Sequence, residues 1–179
     1  DSISLFVTVI WILAIINSIN WLDGLDGLAT GVTFILASTL LLINYSFQQV
    51  EIGLITSALI GSTLAFLRFN VYPSKIIMGD GGSYLLGFTL ASLSILTYSA
   101  PESQISILLL FILFLIPLSD MTFVILKRVS SFKSPFYPDR NHFHHRLIDR
   151  GFDQWSVTKI ICFLTLITST ITLALYFSM

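Results

Sequence analysis

Charge is what this chain of 179 residues has least of. Asp, Glu, Lys and Arg make up 11% of it, apolar residues 55%, and the mean hydropathy is +0.88. A soluble domain carries about 25% charged residues, so the composition excludes that class and points to a polytopic membrane protein. Cysteine is nearly absent too: Cys162 is the single one, in an apolar run, so no internal disulfide can form and it reads as a small buried hydrophobe. No basic segment followed by a cleavage site opens the chain, which shows no signal peptide. Internal repeats and low-complexity linkers are missing, which leaves one integral-membrane domain over 1–179.

What is present is a series of apolar runs, each near the length of about 20 residues that spans hydrocarbon. They cover Ile3–Ile19, Leu28–Tyr45, Ile52–Phe69, Tyr84–Ser99, Ile105–Leu126 and Val157–Phe177. The reading is an all-α, polytopic membrane helix bundle of about six transmembrane helices. Six crossings put the loops after the first, third and fifth runs on one side. All nine Lys and Arg residues lie in or beside those loops: Arg68, Lys75, Lys127, Arg128, Lys133, Arg140, Arg146, Arg150 and Lys159. The other side has only Asp1, Glu51 and Glu102. By the positive-inside rule the basic side faces the cytoplasm.

Three polar clusters fall on that side. The first runs N-S-I-N-W-L-D-G-L-D-G from Asn17 to Gly27, two amides and two carboxylates at a constant spacing of three. An Asp at mid-membrane costs roughly 2.5–3.5 kcal/mol, so Asp23 and Asp26 between two apolar runs need a function or a cation. Two carboxylates about 6 Å apart repel by roughly 3 kcal/mol at an effective dielectric of 20. Mg2+ suits such a site, because it takes one or two carboxylates and completes its shell with water and phosphate. A plain polar loop at a helix end reads almost as well for this stretch alone.

The second cluster, F-N-V-Y-P-S-K-I-I-M-G-D-G-G-S, runs from Phe69 to Ser83. Its Gly-rich turn before a helix could receive an anion, or Ser83 could simply cap the fourth run. The third, P-D-R-N-H-F-H-H, runs from Pro138 to His145 and contains all three histidines. Zinc would normally recruit cysteine, which is not nearby, so His and Arg donating to phosphate oxygens fit this loop better. A basic loop on anionic lipid would explain its lysines and arginines but not its histidines. His142 and His145 can share a helix face, whereas adjacent His144 and His145 are expected on different faces.

With these motifs in order, the sequence resembles the polyprenyl-phosphate N-acetylhexosamine-1-phosphate transferases. The matching signatures are N-x-x-N-x-x-D-G-x-D-G-L-A at Asn17–Ala29, F-N-x-x-P-x-K-I-x-M-G-D-x-G-S at Phe69–Ser83 and P-D-R-x-H-x-H-H at Pro138–His145. The x-H-x-H-H form and the P-L-x-D at Pro117–Asp120 look like the GlcNAc-type branch. The phospho-MurNAc-pentapeptide translocase is a more distant relative.

The resemblance implies a Mg2+-dependent enzyme of the bacterial cytoplasmic membrane with its active site on the cytoplasmic face. Its substrates would be a UDP-N-acetylhexosamine and polyprenyl phosphate, and its products a lipid-linked diphospho-sugar and UMP. It implies Asp80, with Asp23 and Asp26, as metal-binding and catalytic carboxylates. It implies Asn17, Asn20, Asn70, Lys75 and Ser83, with Arg140, His142, His144 and His145, as substrate-binding groups. Asp120 is held only as a residue behind the site. The lipid bilayer is a partner, nucleic acid is not, and a homodimer stays open.

One departure stands out. The family carries an adjacent aspartate pair in an earlier loop, and no Asp-Asp occurs in this chain. With a first residue other than Met, that suggests a C-terminal fragment of a longer bundle, inactive alone. Rival readings are a transporter or channel with charged gating loops, a CDP-alcohol phosphatidyltransferase and a non-catalytic scaffold. The first predicts ionisable groups at mid-membrane depth. The second expects Ala-Arg where Thr30 stands.

Overall fold

The computed structural model describes residues 2–101, 103–132, 134 and 142–178. The described residues are all helical or in connecting turns. Helices α1 (Ser2–Leu22), α2 (Leu28–Ser46), α3 (Val50–Asn70) and α4 (Gly79–Ser99) come first. Helices α5 (Ile107–Leu113), α6 (Leu115–Ser130), α7 (Phe143–Ile148) and α8 (Gln154–Phe177) follow. Helices α1, α2, α3 and α8 are long and apolar enough to cross a bilayer, and α5 with α6 makes a fifth span if the bent pair counts as one.

The fourth apolar run is the one outside that set. Helix α4 has 21 residues, yet its Asp, Gly, Ser and Thr dilute its hydropathy. It nevertheless runs the height of the bundle. Near its start, Ser83 accepts a hydrogen bond from Asn20 Nδ2 at 2.9 Å. Near its end, Thr97 accepts one from Asn44 Nδ2, also at 2.9 Å, beside the C-terminus of α2. Ser46 and Tyr176 meet at 2.7 Å at that same far end. The hydrogen bonds therefore sort the helix ends into two groups, and the three polar segments share one of them.

The fifth run is not one straight helix. Helices α5 and α6 meet at Phe114 with a bend of 78°. Pro117, in the first turn of α6, has no amide to return to the preceding turn, which opens the helix there. The fourth helix also starts earlier than its apolar run, at Gly79 rather than Tyr84. Ser83 thus lies inside α4, its hydroxyl donating to Asp80 O at 3.1 Å, and does not cap it.

Helix α2 is the centre of the packing, with Leu28, Val32, Leu36, Leu40 and Ile43 fully buried against α3 and α8. Helices α1 and α4 form the other close pair. A Cβ on Gly87 would sit 2.7 Å from Ile16 Cα, so only glycine permits that approach. Large apolar side chains such as Phe6, Leu54, Leu85 and Phe163 are exposed, as surfaces facing lipid would be.

Candidate active site at one end of the bundle

Helix α1 ends where Asn20 and Asp23 replace its apolar residues, and Gly24 and Gly27 stop it from continuing. Gly27 adopts φ 73°, a left-handed conformation that L side chains avoid, and α2 begins at the next residue. The turn between them holds Asp23 and Asp26. Asn20 Nδ2 reaches α4, donating to Asp80 Oδ1 at 3.2 Å and to Ser83 Oγ at 2.9 Å. One amide thus orients the exposed Asp80 carboxylate.

Asp26 fastens the second segment to the first, because its Oδ2 accepts the Ser74 amide at 2.9 Å. Its carbonyl accepts from Thr158 of α8 at 3.2 Å. Asn70 is buried and occupied: Oδ1 accepts from the Gly27 amide at 3.1 Å and from Thr30 Oγ1 at 2.8 Å, while Nδ2 donates to Ile76 O at 3.0 Å. The sequence reading gave Asn70 to the nucleotide-sugar; its side chain here clamps the start of α2 to the end of α3. Asn17 turns back to its own helix and donates to Leu13 O at 2.7 Å, away from the cluster. Lys75 is exposed, and its amide closes the loop on Phe69 O at 2.7 Å.

The third segment closes over the first. The ring of His144 lies against Gly24, with Nε2 2.5 Å from where a Cβ would be. Both His144 nitrogens are buried without a hydrogen-bond partner. Burial, followed by the neighbouring His145 and His142, pushes His144 down to about 4, and Asp120 offsets this only partly. His144 is therefore neutral at pH 7 and can serve a phosphate only through an N–H.

His142 stacks on His144 at 5.6 Å, and His145 lies 4.2 Å from His144 by ring centroids. The adjacent pair expected on different faces comes together because α7 has only just begun there. Asp120 and Trp21 complete this edge, with Trp21 edge-on to His142 at 5.3 Å. Arg140 lies outside the described residues.

Electrostatics follow from the packing. Burial, then the negative charge of Asp80, pushes Asp23 up to about 6. Asp23 and Asp80 thus feel each other, which a cation between them would relieve. Among the described residues no group of three His, Cys, Asp or Glu side chains converges tightly enough to hold a metal ion alone. Two carboxylates near enough for one charge to reach the other still fit Mg2+, which takes few protein ligands and fills the rest with water and phosphate oxygens. Beside this cluster a groove of about 250 Å³ opens between α3 and α4, lined by Thr30, Thr63, Met78 and Gly82 among others.

Sequence reasoning missed the clamps: Ser74, Thr30, Thr158 and Trp21. Each is an ordinary loop or helix residue in sequence, and nothing in its spacing marks it. Trp21, between Asn20 and Asp23, was the one with a positional hint.

A family model described as "Glycosyl transferase family 4" matches residues 1–98. A probable undecaprenyl-phosphate N-acetylglucosaminyl 1-phosphate transferase of Bacillus subtilis is 41% identical over 145 residues, covering 81% of this chain and 40% of the relative. A decaprenyl-phosphate N-acetylglucosaminephosphotransferase of Mycobacterium tuberculosis is 33% identical over 178 residues, covering 88% and 44%. A phospho-N-acetylmuramoyl-pentapeptide-transferase of Clostridium perfringens is 34% identical over 154 residues, covering 85% and 45%. The chain spans less than half the length of these curated relatives.

Proposed function

The chain belongs to glycosyl transferase family 4, and on that footing we propose that it carries the larger part of a site for moving N-acetylhexosamine-1-phosphate, GlcNAc-1-phosphate in the first instance, from a UDP-sugar to polyprenyl phosphate. A phosphate oxygen of the lipid attacks the sugar-bearing phosphorus, the bond between the two phosphates breaks, and UMP leaves. The product is a polyprenyl diphospho-sugar, the starting unit of a cell-envelope glycan. The relatives' names carry the choice of substrates. The supporting observation from this chain is the meeting of its carboxylate and imidazole segments at one end of an apolar bundle, where a lipid phosphate and a water-soluble nucleotide can both arrive.

In this reading Asp80, oriented by Asn20, and Asp23 hold Mg2+. Held by these two carboxylates, Mg2+ would supply charge neutralisation on the transferred phosphate, the main catalytic demand of phosphoryl transfer. Asp23, pushed up to about 6 by burial and then by the Asp80 charge, would give up its proton beside a bound cation and so serve as a carboxylate ligand. Asp26 holds the Ser74 loop in register. The imidazoles and Arg140 are assigned to binding the diphosphate. The basic residues in the loops at this end support a cytoplasmic orientation for it.

The test is an assay of the complete protein with radiolabelled UDP-N-acetylhexosamines and undecaprenyl phosphate. Labelled lipid should form with stoichiometric UMP, only with Mg2+ present, and Asp80→Asn should lower the rate at least about 100-fold. No labelled lipid from any donor would contradict the reading. The rival transporter or channel has less support, since Asp23, Asp26 and Asp80 lie at helix ends, not along a path through the bundle.

A further inference from the structure

Asp120 is at odds with its surroundings. It lies in α6 among apolar residues and is only 7% exposed, yet no Lys or Arg within salt-bridge distance of it is found among the described residues. Its carboxylate is used in full by the third polar segment. Oδ1 accepts the Phe143 amide at 2.5 Å, the first amide of α7, and Oδ2 lies 2.9 Å from His142 Nδ1. A buried ionised carboxylate can only accept, so the proton between them belongs on His142 Nδ1. In the neutral ring Nε2 then carries the lone pair, so the ring donates to a phosphate oxygen there only in the form protonated on both nitrogens, which the Asp120 carboxylate favours.

The same ring is held from two further directions. Trp21 meets it edge-on at 5.3 Å with planes 69° apart, and His144 stacks parallel at 5.6 Å. Trp21 is itself covered by the Arg128 guanidinium, 4.8 Å from the ring centroid. Arg146 rests over Phe123 at 4.3 Å and pins α7 to α6. An imidazole that served only as a polar filler would not need a buried carboxylate, a tryptophan edge and a second imidazole to fix it. Orientation and proton position are both specified, which is the condition a side chain must meet to address a phosphate at one nitrogen.

Resting on the transferase reading above, we propose that Asp120 is a positioning residue: it holds His142 in one orientation with a proton on Nδ1, and by its negative charge supports the second proton through which Nε2 donates to a phosphate oxygen of the nucleotide-sugar. The bend at Phe114 belongs to this device. It turns α6 away from the line of α5 and so sets where Asp120 meets the imidazole. Asp120 acts on the reaction through His142 alone.

Two measurements on the complete protein test this. The first is 15N NMR of the imidazoles at neutral pH, with His142 assigned by its loss in His142→Ala. A protonated Nδ1 supports the proposal and an unprotonated Nδ1 overturns it, whether or not the protein transfers any sugar. The second is kinetic. Asp120→Asn keeps the shape, but its amide can donate to Nδ1 and release the proton held there. It should lower kcat about 10- to 100-fold, the usual cost of losing an orienting partner, with KM for the UDP-sugar changed less than about threefold. In a His142→Ala background the same substitution should change nothing further. An undiminished loss in that background means Asp120 acts by another route, and the proposal fails. Should Asp120→Asn not fold, the NMR result on the unmutated protein decides. A wild-type protein without transferase activity but with Nδ1 protonated would refute the reaction and leave the Nδ1 assignment standing.

Discussion

Asp23 and His144 are shifted in opposite directions by the same burial, and the signs matter. Asp23 moves from the ordinary 3.8 to about 6, so between those values the folded chain holds a proton that the unfolded chain has lost. Its ionisation opposes folding above pH 6, and that opposition fades as pH falls from 6 toward 4. His144 moves from 6.5 to about 4, so there the unfolded chain holds the extra proton. Its contribution is complete above pH 6.5 and is lost as pH falls through 4. Replacing Asp80→Asn removes the second cause of the Asp23 shift but not the first. The Asp23 midpoint, followed by carboxyl NMR, should fall below 6 yet stay above 3.8; an unmoved midpoint would mean that the Asp80 charge does not reach it. The carboxylates and histidines themselves were legible, because ionisable residues beside apolar runs are conspicuous. Their partners were not. Nothing in F-N-V-Y-P separates an Asn70 that faces ligand from one that clamps Gly27 and Thr30.

At the scale of the helices, long apolar runs translate directly into spans, and α1, α2, α3 and α8 fall within a few residues of the expected limits. Hydropathy records the solvent a segment prefers, not its direction, so the 78° turn at Phe114 was invisible although Pro117 was in plain view. A proline alone commonly gives a milder kink, and the full bend depends on what α5 and α6 each pack against. The start of α4 was hidden for a related reason. G-D-G-G-S reads as a turn, yet Asn20 draws Asp80 and Ser83 onto α1 and the helix begins at Gly79. The α1–α4 contact also makes a sharp prediction. Gly87→Ala places a methyl 2.7 Å from Ile16 Cα, against backbone that cannot rotate away. The two helices must part, at a cost of about 1–3 kcal/mol, seen as a lower thermal unfolding midpoint in detergent. An unchanged midpoint would mean that the pair is looser than described.

For the molecule as a whole, the two-ended sorting of polar groups was legible from charge asymmetry and the alternation of runs. The distribution of hydrogen bonds agrees with it: Asn20 to Asp80 and Ser83 at one end, Asn44 to Thr97 and Ser46 to Tyr176 at the other. Which residue of one segment touches which residue of another was not legible, since contacts across 22 or more positions leave no local pattern. Gly24 under His144, Asn70 on Gly27 and Asp120 on His142 turn three motifs into one site. That convergence is the claim on which the rest stands. It is tested most directly by disulfide trapping in the complete protein on a cysteine-free background, including Cys162→Ala. Gly24→Cys paired with His144→Cys, and Asn20→Cys paired with Ser83→Cys, should each bridge rapidly under mild oxidation, while Gly24→Cys paired with Tyr176→Cys should not. Failure of both site pairs in a folded protein, or bridging only with Tyr176→Cys, would contradict the account.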